Sequence, residues 1–560
     1  MSRVTTPGPP AESPADVPVT DTGRKHHRLY VRNFAGRPGR FLAVCLAVTF
    51  VNFAVWSVAT PLFASPDEPA HVVHAAAAVR GEIVGRTVKS SSNAMTRVSI
   101  PEVFAAGYPY TTCFMGHDTV PASCAPALST STKVVRTATY VGRYPPLYYL
   151  MVGLPSLVTV STLGIYLMRL MSALLDASLV SLALLSIAVW SRRRLLLVGV
   201  MIAATPTVWF FGGVVNPSGF EICAAICLWS SGLVLVLEHA DHPPPGLVTI
   251  VVAAMAALLL ARPLSPLWDA IIVGLLALLG GRRAVVGISR SRVTRWSIGP
   301  LIACCLFTVA WVISQHSLDL VPAGVPVPAG ETRLHLVAVI FGYTGTWIQQ
   351  MIGVFGWLDT FSPLVTYLVW FAMIGFVLGL AFASAKGRHV GLLIFLGLAV
   401  LLIPVVIAYS QSHRLGVVWQ GRDILPVAVG LPLTAVALLE QTEIVRPWRL
   451  RVAATLCLGM GVADVAAFVE ALRRYTVGVA GPLNFLSGPW QPPLGSLGVV
   501  VCCCVFVVLL MTLVTQEVRY SAALIGAHPR PIPSPRDSSQ EALRRDRCRR
   551  GLVLRGRRPS

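Results

Sequence analysis

The sequence predicts an all-α polytopic membrane protein of about 12 transmembrane helices, because apolar runs near 20 residues long cross a bilayer as helices. Three observations predict it. Of 560 residues, 55% are hydrophobic and only 12% are charged, with a mean hydropathy of +0.69. A soluble domain carries about 25% charged residues. The apolar residues fall in long runs separated by short polar loops, without the alternation over about 10 residues that marks a β-barrel. The basic residues, finally, collect at the ends of the runs and in two tails.

Taken in order, residues 1–40 read as a disordered basic cytoplasmic N-terminus. The first part is rich in Pro, Thr and acidic residues, and Arg24 to Arg40 form a basic segment. No small-residue cleavage site follows the first apolar run, which argues against a removed signal peptide. The transmembrane domain covers 41–515. Its spans are expected near 41–62, 164–190, 194–212, 218–238, 246–262, 266–281, 298–316, 362–384, 389–409, 423–440, 452–471 and 495–515. A basic disordered cytoplasmic tail, 516–560, closes the chain. Both basic ends can meet an anionic leaflet, at about 1 kcal/mol per charge near the surface. Membrane lipids are therefore expected partners.

Lys and Arg resist translocation. Placing both termini in the cytoplasm keeps Arg192, Arg194, Arg282, Arg283, Arg290, Arg292, Arg295, Lys386, Arg388, Arg446, Arg449 and Arg451 inside. This orientation requires that 145–161 not cross: it opens on Pro145-Pro146 and is only about 16 residues long, short for a span. It reads as a juxtamembrane or re-entrant helix within a long outer loop, 63–163. The formal net charge of +20 would point a soluble protein toward nucleic acid. Here the charge is topogenic, no nucleic-acid motif is present, and no nucleic-acid partner is expected. Most of the 12 cysteines lie in apolar runs. Cys113 and Cys124 instead share the long outer loop, and a disulfide between them is expected.

The chemistry-bearing residues cluster on the outer side. After the first span comes Ser65-Pro66-Asp67-Glu68-Pro69-Ala70-His71, then His74. Asp67 and Glu68 are candidate acid/base residues, and Asp67 with His71 could hold a divalent cation. On a helix Asp67, His71 and His74 share one face. The competing structural reading is strong: Ser65 and Glu68 have capping-box spacing, and acids suit a helix N-terminus. Tyr144, Pro145 and Pro146 begin the short outer helix. Arg169 lies about a turn inside the next span, where an Arg needs a partner, a cavity, a lipid phosphate or the interface. Arg262 ends the fifth span. His413, Arg414, Gln420, Arg422 and Asp423 surround the last long outer turn, and Arg suits phosphate. Asp359, in Gly356-Trp357-Leu358-Asp359-Thr360, is either a site residue or a helix cap. Walker A, G-x-S-x-G, H-E-x-x-H and Rossmann motifs are missing.

The order S-P-D-E-P-A-H, long loop, Y-P-P-L-Y-Y, an Arg in the next span, N-P-S-G, G-W-L-D-T and Q-G-R-D resembles domain-of-unknown-function family 2142 over roughly residues 40–440. That family is grouped with the GT-C glycosyltransferases. The resemblance implies a GT-C-like fold and transfer of a sugar from a polyprenyl-phosphate donor to a glycan or protein acceptor, at the outer face of the plasma membrane, for envelope assembly. It implies Asp67, then Glu68, as the catalytic acid. Tyr144, Pro145 and Pro146 would frame the site, with His71 and Asn216 nearby, and Arg169, Arg262 and Arg422 would be phosphate ligands. One departure is Ser218, where relatives often carry an acid. Glu221 is close but lies inside the span, which weakens a two-carboxylate metal site. Two other functions remain open: a transporter or flippase for a lipid-linked glycan, with Asp176 and Asp464 as its intramembrane acids, and a non-catalytic envelope scaffold.

Overall fold

The computed structural model describes residues 37–88, 95–192, 194–319, 327, 330, 332–440, 442 and 445–527. The N-terminal segment before 37 and the tail after 527, both expected to be disordered, lie outside the described residues. The chain begins with α1 (Pro38–Ala59) and turns into α2 (Glu68–Ala78). Strands β1 (Arg86–Thr87), β2 (Thr96–Pro101) and β3 (Val134–Thr139) form an antiparallel sheet, with α3 (Glu102–Ala105) and α4 (Gly107–Thr111) between β2 and β3. Thr96 faces Thr139 and Pro101 faces Val134 across the β2–β3 pair. The expectation for this loop named helices alone; its β-branched Thr and Val residues supply the strands.

Next come α5 (Leu147–Gly153), α6 (Pro155–Val158) and α7 (Thr162–Trp190). After them run α8 (Leu196–Ala203), α9 (Pro206–Gly212), α10 (Pro217–Glu238), α11 (Pro245–Leu259), α12 (Ser265–Ser289) and α13 (Arg292–Gln315). α14 (Arg333–Gly342) and α15 (Thr344–Gly353) precede a small hairpin of β4 (Val354–Phe355) and β5 (Thr360–Phe361). The chain continues through α16 (Leu364–Ser384), α17 (Gly387–Leu415), α18 (Leu425–Ala428), α19 (Gly430–Glu440), α20 (Arg449–Val477) and α21 (Gly495–Ala527).

This is an all-α polytopic membrane protein. Among the described residues, 9 helices are long and apolar enough to span: α1, α7, α10, α12, α13, α16, α17, α20 and α21. The other three expected spans are helical but short or broken. α11 has 15 residues. The 194–212 run breaks at Ala204–Thr205, because a residue before proline (here Pro206) is pushed out of the helical region. The 423–440 run is divided between α18 and α19. The 145–161 stretch forms α5 and α6, which together run from Leu147 to Val158, too short to span. α5 lies against α2: a Cβ on Gly153 would come within 2.3 Å of the Ala75 carbonyl oxygen. α21 continues to Ala527, so residues 516–527 extend the last helix rather than starting a tail.

α10 is the centre of the bundle, packed on α7, α11 and α12, and α1 packs between α7 and α21. α13 lies at the rim, where Leu306 and Ile313 are exposed, as suits helices whose solvent is hydrocarbon. The ends of α1, α7, α10 and α12 that meet the 63–163 loop form one end of the bundle. Arg192, Arg194, Arg283, Arg292, Arg388 and Arg449 mark the other.

Candidate functional site

The segment after α1 places two adjacent carboxylates in different surroundings. Asp67 precedes the first turn of α2 in a left-handed conformation, φ 63°, which Asp tolerates better than most residues. Its side chain caps nothing. Instead Oδ1 accepts a 2.6 Å hydrogen bond from the Tyr140 hydroxyl, and Oδ2 pairs with Nη2 of Arg422. Ser65 Oγ has no hydrogen-bond partner among the described residues, so the capping box suggested by its spacing from Glu68 does not form.

Glu68 turns into the bundle. Its carboxylate takes two bonds from Arg169, Nε at 2.7 Å and Nη2 at 2.6 Å, and a third from the Val215 backbone N–H. Arg169 also donates to the carbonyls of Ser57, Thr60 and Pro61, where α1 ends. Both side chains are fully buried. This corrects the expectation for both residues. Glu68 is not placed to act on substrate and Arg169 is not open to a phosphate, because every polar group they have is engaged in closing the end of α1.

Arg422 reaches Asp67 from the Gln420-Gly421-Arg422-Asp423 turn. The turn is fixed by a reciprocal cap between Gln420 and Asp423. It also docks on α15, where the Gly421 N–H donates to Gln350 Oε1 at 2.7 Å. Only glycine fits: a Cβ there would lie 2.2 Å from the Trp347 carbonyl oxygen. The Arg422 guanidinium sits 4.9 Å above the Phe211 ring. Its Nε and Nη1 are buried and have no hydrogen-bond partner among the described residues.

Asp67, His71, Tyr140, Tyr144, Asn216, Ser218, Arg262, Arg422 and Asp423 line one cavity of about 590 Å³, together with Trp347, Gln350, Gln411 and Trp419. Arg262 holds Glu221 and Asp423, each at 3.0 Å, and Ser265 Oγ donates to Glu221 at 2.6 Å. Asn216 accepts from the Ser218 N–H and donates to the Pro66 carbonyl at 3.0 Å, which ties α10 to the Asp67 turn. Burial alone would raise the Asp67 carboxyl; the Arg422 guanidinium, the His71 ring and the Tyr140 hydroxyl outweigh it and hold it at about 2. Burial pushes His71 down to about 3, so its ring is neutral. Its Nδ1 lies 2.9 Å from the Tyr149 hydroxyl.

A divalent cation on Asp67 and His71 does not fit this donor set. The Asp67 oxygens and the His71 Nδ1 are engaged, and no group of three or more His, Cys, Asp or Glu converges among the described residues. Other expected site residues also lie elsewhere. Asp359 pairs with the buried Arg474 at 3.0 Å and accepts from the Gly116 N–H. Arg414 is exposed and 3.8 Å from Asp319. Pro145 and Pro146 start α5 without lining the cavity. His74 is fully buried, its ring 4.1 Å from Tyr149. Cys113 and Cys124 are disulfide-bonded, and Arg474 donates to the carbonyls of Phe114, His117 and Val120 in that loop.

Sequence reasoning missed Tyr140 and Arg474. Tyr140 follows a strand and belongs to no motif. Arg474 carried a signal, an Arg just past an expected span, of the kind that drew notice to Arg169.

Fold and site together define a polytopic membrane protein with a charged cavity at one end of its helical bundle. The chain belongs to the DUF2142 family of predicted membrane proteins, whose model matches residues 50–431. The match takes in every charged residue of the cavity and ends before α20. No curated protein matches the chain.

Proposed function

We propose that the protein is a plasma-membrane glycosyltransferase that moves a sugar from a polyprenyl-phosphate donor to an envelope acceptor on the outer face. The observation that carries this reading is the pairing of a cavity-lining carboxylate, Asp67, with an arginine that has nitrogens to spare, Arg422. Positive charge gathered at the opposite end of the bundle supports a cytoplasmic position for that end and an outer position for the cavity.

The chemistry needs three things: a base, a phosphate ligand and room for a lipid. Asp67 takes the proton of the acceptor hydroxyl as its oxygen bonds to the anomeric carbon. The bond from that carbon to the donor phosphate breaks, and the electron pair leaves with polyprenyl phosphate, whose charge meets Arg422. Base catalysis of this type contributes about 10²–10⁴-fold. Ile407, Leu264 and Leu318 give one wall of the cavity the apolar surface a prenyl chain requires.

A transfer assay tests the proposal. Purified protein in lipid receives radiolabelled polyprenyl-phosphate sugars and a crude envelope acceptor, beside Asp67→Asn. Label reaching the acceptor with wild type alone is the expected result; equal transfer by the variant would remove Asp67 from the chemistry.

A second reading, transport of a lipid-linked glycan, draws on different features. The paired short helices α8/α9 and α18/α19 interrupt the bundle. Asp176, inside α7, is buried with both carboxylate oxygens lacking a hydrogen-bond partner among the described residues. Movement of such a lipid across liposomes with no sugar transfer would favour it.

A further inference from the structure

Asp359 holds the tip of the β4–β5 hairpin. It pairs with Arg474 at 3.0 Å, accepts from the Gly116 N–H, and accepts from the Thr360 hydroxyl at 2.9 Å. The two residues before it, Trp357 and Leu358, both line the cavity that contains Asp67. Local preference does not put them there. Leu358 is left-handed, φ 64°, a region that disfavours a branched side chain. Gly356, two residues earlier, is left-handed as well, and a Cβ on it would lie 2.2 Å from Asp359 Oδ1. Trp357 is only half-buried, and its indole N–H makes no hydrogen bond among the described residues. A hairpin that needed only a turn would carry small polar residues at its tip. Backbone held against its preference by the contacts around it marks a place where the side chains it presents have work to do.

Trp357 has an aromatic neighbour. Its ring centroid is 6.1 Å from that of Tyr108, with the planes tilted at 45°, so the two rings are not stacked face to face. Tyr108 is 36% exposed. It belongs to α4, whose Gly107 is so close to Phe63 and Pro69 that a Cβ would lie 2.7 Å from the Pro69 Cβ. Phe63 and Pro69 lie on either side of Asp67 in the chain, so Tyr108 is tied to the turn that carries the base. Tyr140 completes the link: its hydroxyl donates to Asp67 Oδ1, and its side chain also meets Tyr108.

Aromatic faces beside hydroxyls and a carboxylate suit a saccharide. A pyranose presents a face of C–H groups, which the negative face of an aromatic ring attracts, and a rim of hydroxyls that need polar partners. A lipid chain has no use for those partners. A polypeptide bound as an extended segment would need a strand edge to pair with, and none of the described residues that line this cavity lies in β1–β5. We propose, resting on the transferase reading, that Trp357 and Tyr108 form a stacking platform for the acceptor, and that the acceptor is a glycan rather than a polypeptide. A sugar on this platform has its hydroxyls in the cavity that Asp67 and Arg422 line. Asp359 is then a positioning residue, which acts by holding Trp357 in place.

The test reads binding apart from transfer. Saturation-transfer NMR is recorded on the full chain in lipid nanodiscs with the methyl glycosides of glucose, galactose, mannose and arabinose as probes. At least one probe is expected to receive saturation on its C–H face from wild type. Trp357→Ala is expected to weaken that binding about tenfold, and Trp357→Phe, which keeps an aromatic face, to restore most of it. Tyr108→Ala is read in its place if Trp357→Ala does not accumulate. No saturation of any probe, or equal saturation by wild type and the alanine variant, would overturn the platform. In the transfer assay, label is expected to survive protease treatment of the acceptor and to be lost after periodate, which cleaves vicinal diols. The reverse would identify a polypeptide acceptor and overturn the proposal. Saccharide binding that depends on Trp357, with no sugar transfer, would sink the transferase reading alone. Transfer without such binding would sink the platform alone.

Discussion

Asp67 and Glu68 are adjacent in the chain and each is paired with an arginine, yet Glu68–Arg169 is fully buried whereas the Asp67 side chain is 24% exposed in the cavity wall. The sealed pair has all its polar groups engaged and closes the end of α1. The open pair leaves two arginine nitrogens without partners among the described residues. The difference teaches that a carboxylate beside an arginine is not in itself a site. What separates structure from chemistry here is whether the pair's hydrogen-bonding capacity is complete.

The comparison is broken most severely by disturbing the sealed pair. Glu68→Gln leaves the Arg169 charge buried without its counter-ion, at a cost of about 3–5 kcal/mol. The variant is expected to accumulate poorly and unfold at much lower temperature in detergent. Wild-type thermal stability would show the pair to be dispensable.

The disulfide comes next in size. Cys113 and Cys124 are 11 residues apart, and Arg474 binds the carbonyls between them. Replacing both with Ser is expected to destabilise this loop by about 3 kcal/mol, the loop-closure contribution for a ring of this size. Faster protease cleavage within 113–124 would report it; unchanged cleavage would assign the loop's order to Arg474 alone.

The smallest effect, taken for one ring over pH 7 to 5, is a pH slope. Burial depresses His71 and His74 to about 3, while an unfolded histidine titrates near 6.5. Between those values the unfolded chain binds more protons. Stability therefore falls as pH drops from about 6.5 toward 3, by up to about 1.4 kcal/mol per pH unit for each ring. Asp67 adds a loss only at lower pH, between its ordinary 3.8 and about 2. Thermal unfolding of wild type and His74→Gln between pH 7 and 5 should give the shallower slope for the variant, and parallel slopes would contradict neutral burial.

Much of the fold was legible because span signals are local. Every expected span coincides with helix, since run length and apolarity are properties of one segment. Where the expectation strayed, the cause was also local: Pro206 broke one run, and α11 stopped at 15 residues. The site was less legible because its decisive contacts are distant. Asp67 meets a residue 355 positions away, and Glu68 one 101 positions away. Nothing in Asp-Glu, read as a dipeptide, states which acid meets which arginine. The left-handed turn at Asp67 and the depth of Arg169 in α7 decide it. Asp359 illustrates the same point, since its partner Arg474 lay in a region that no motif marked.

The most direct measurement of the central claim sets Asp67→Asn beside wild type in the polyprenyl-phosphate sugar transfer assay, with accumulation and thermal unfolding recorded on the same preparations. The expected result is a protein that accumulates and unfolds like wild type but transfers no sugar. An Asp67→Asn protein that is equally stable and equally active would contradict the claim, and would leave Asp67 as a structural partner of Arg422.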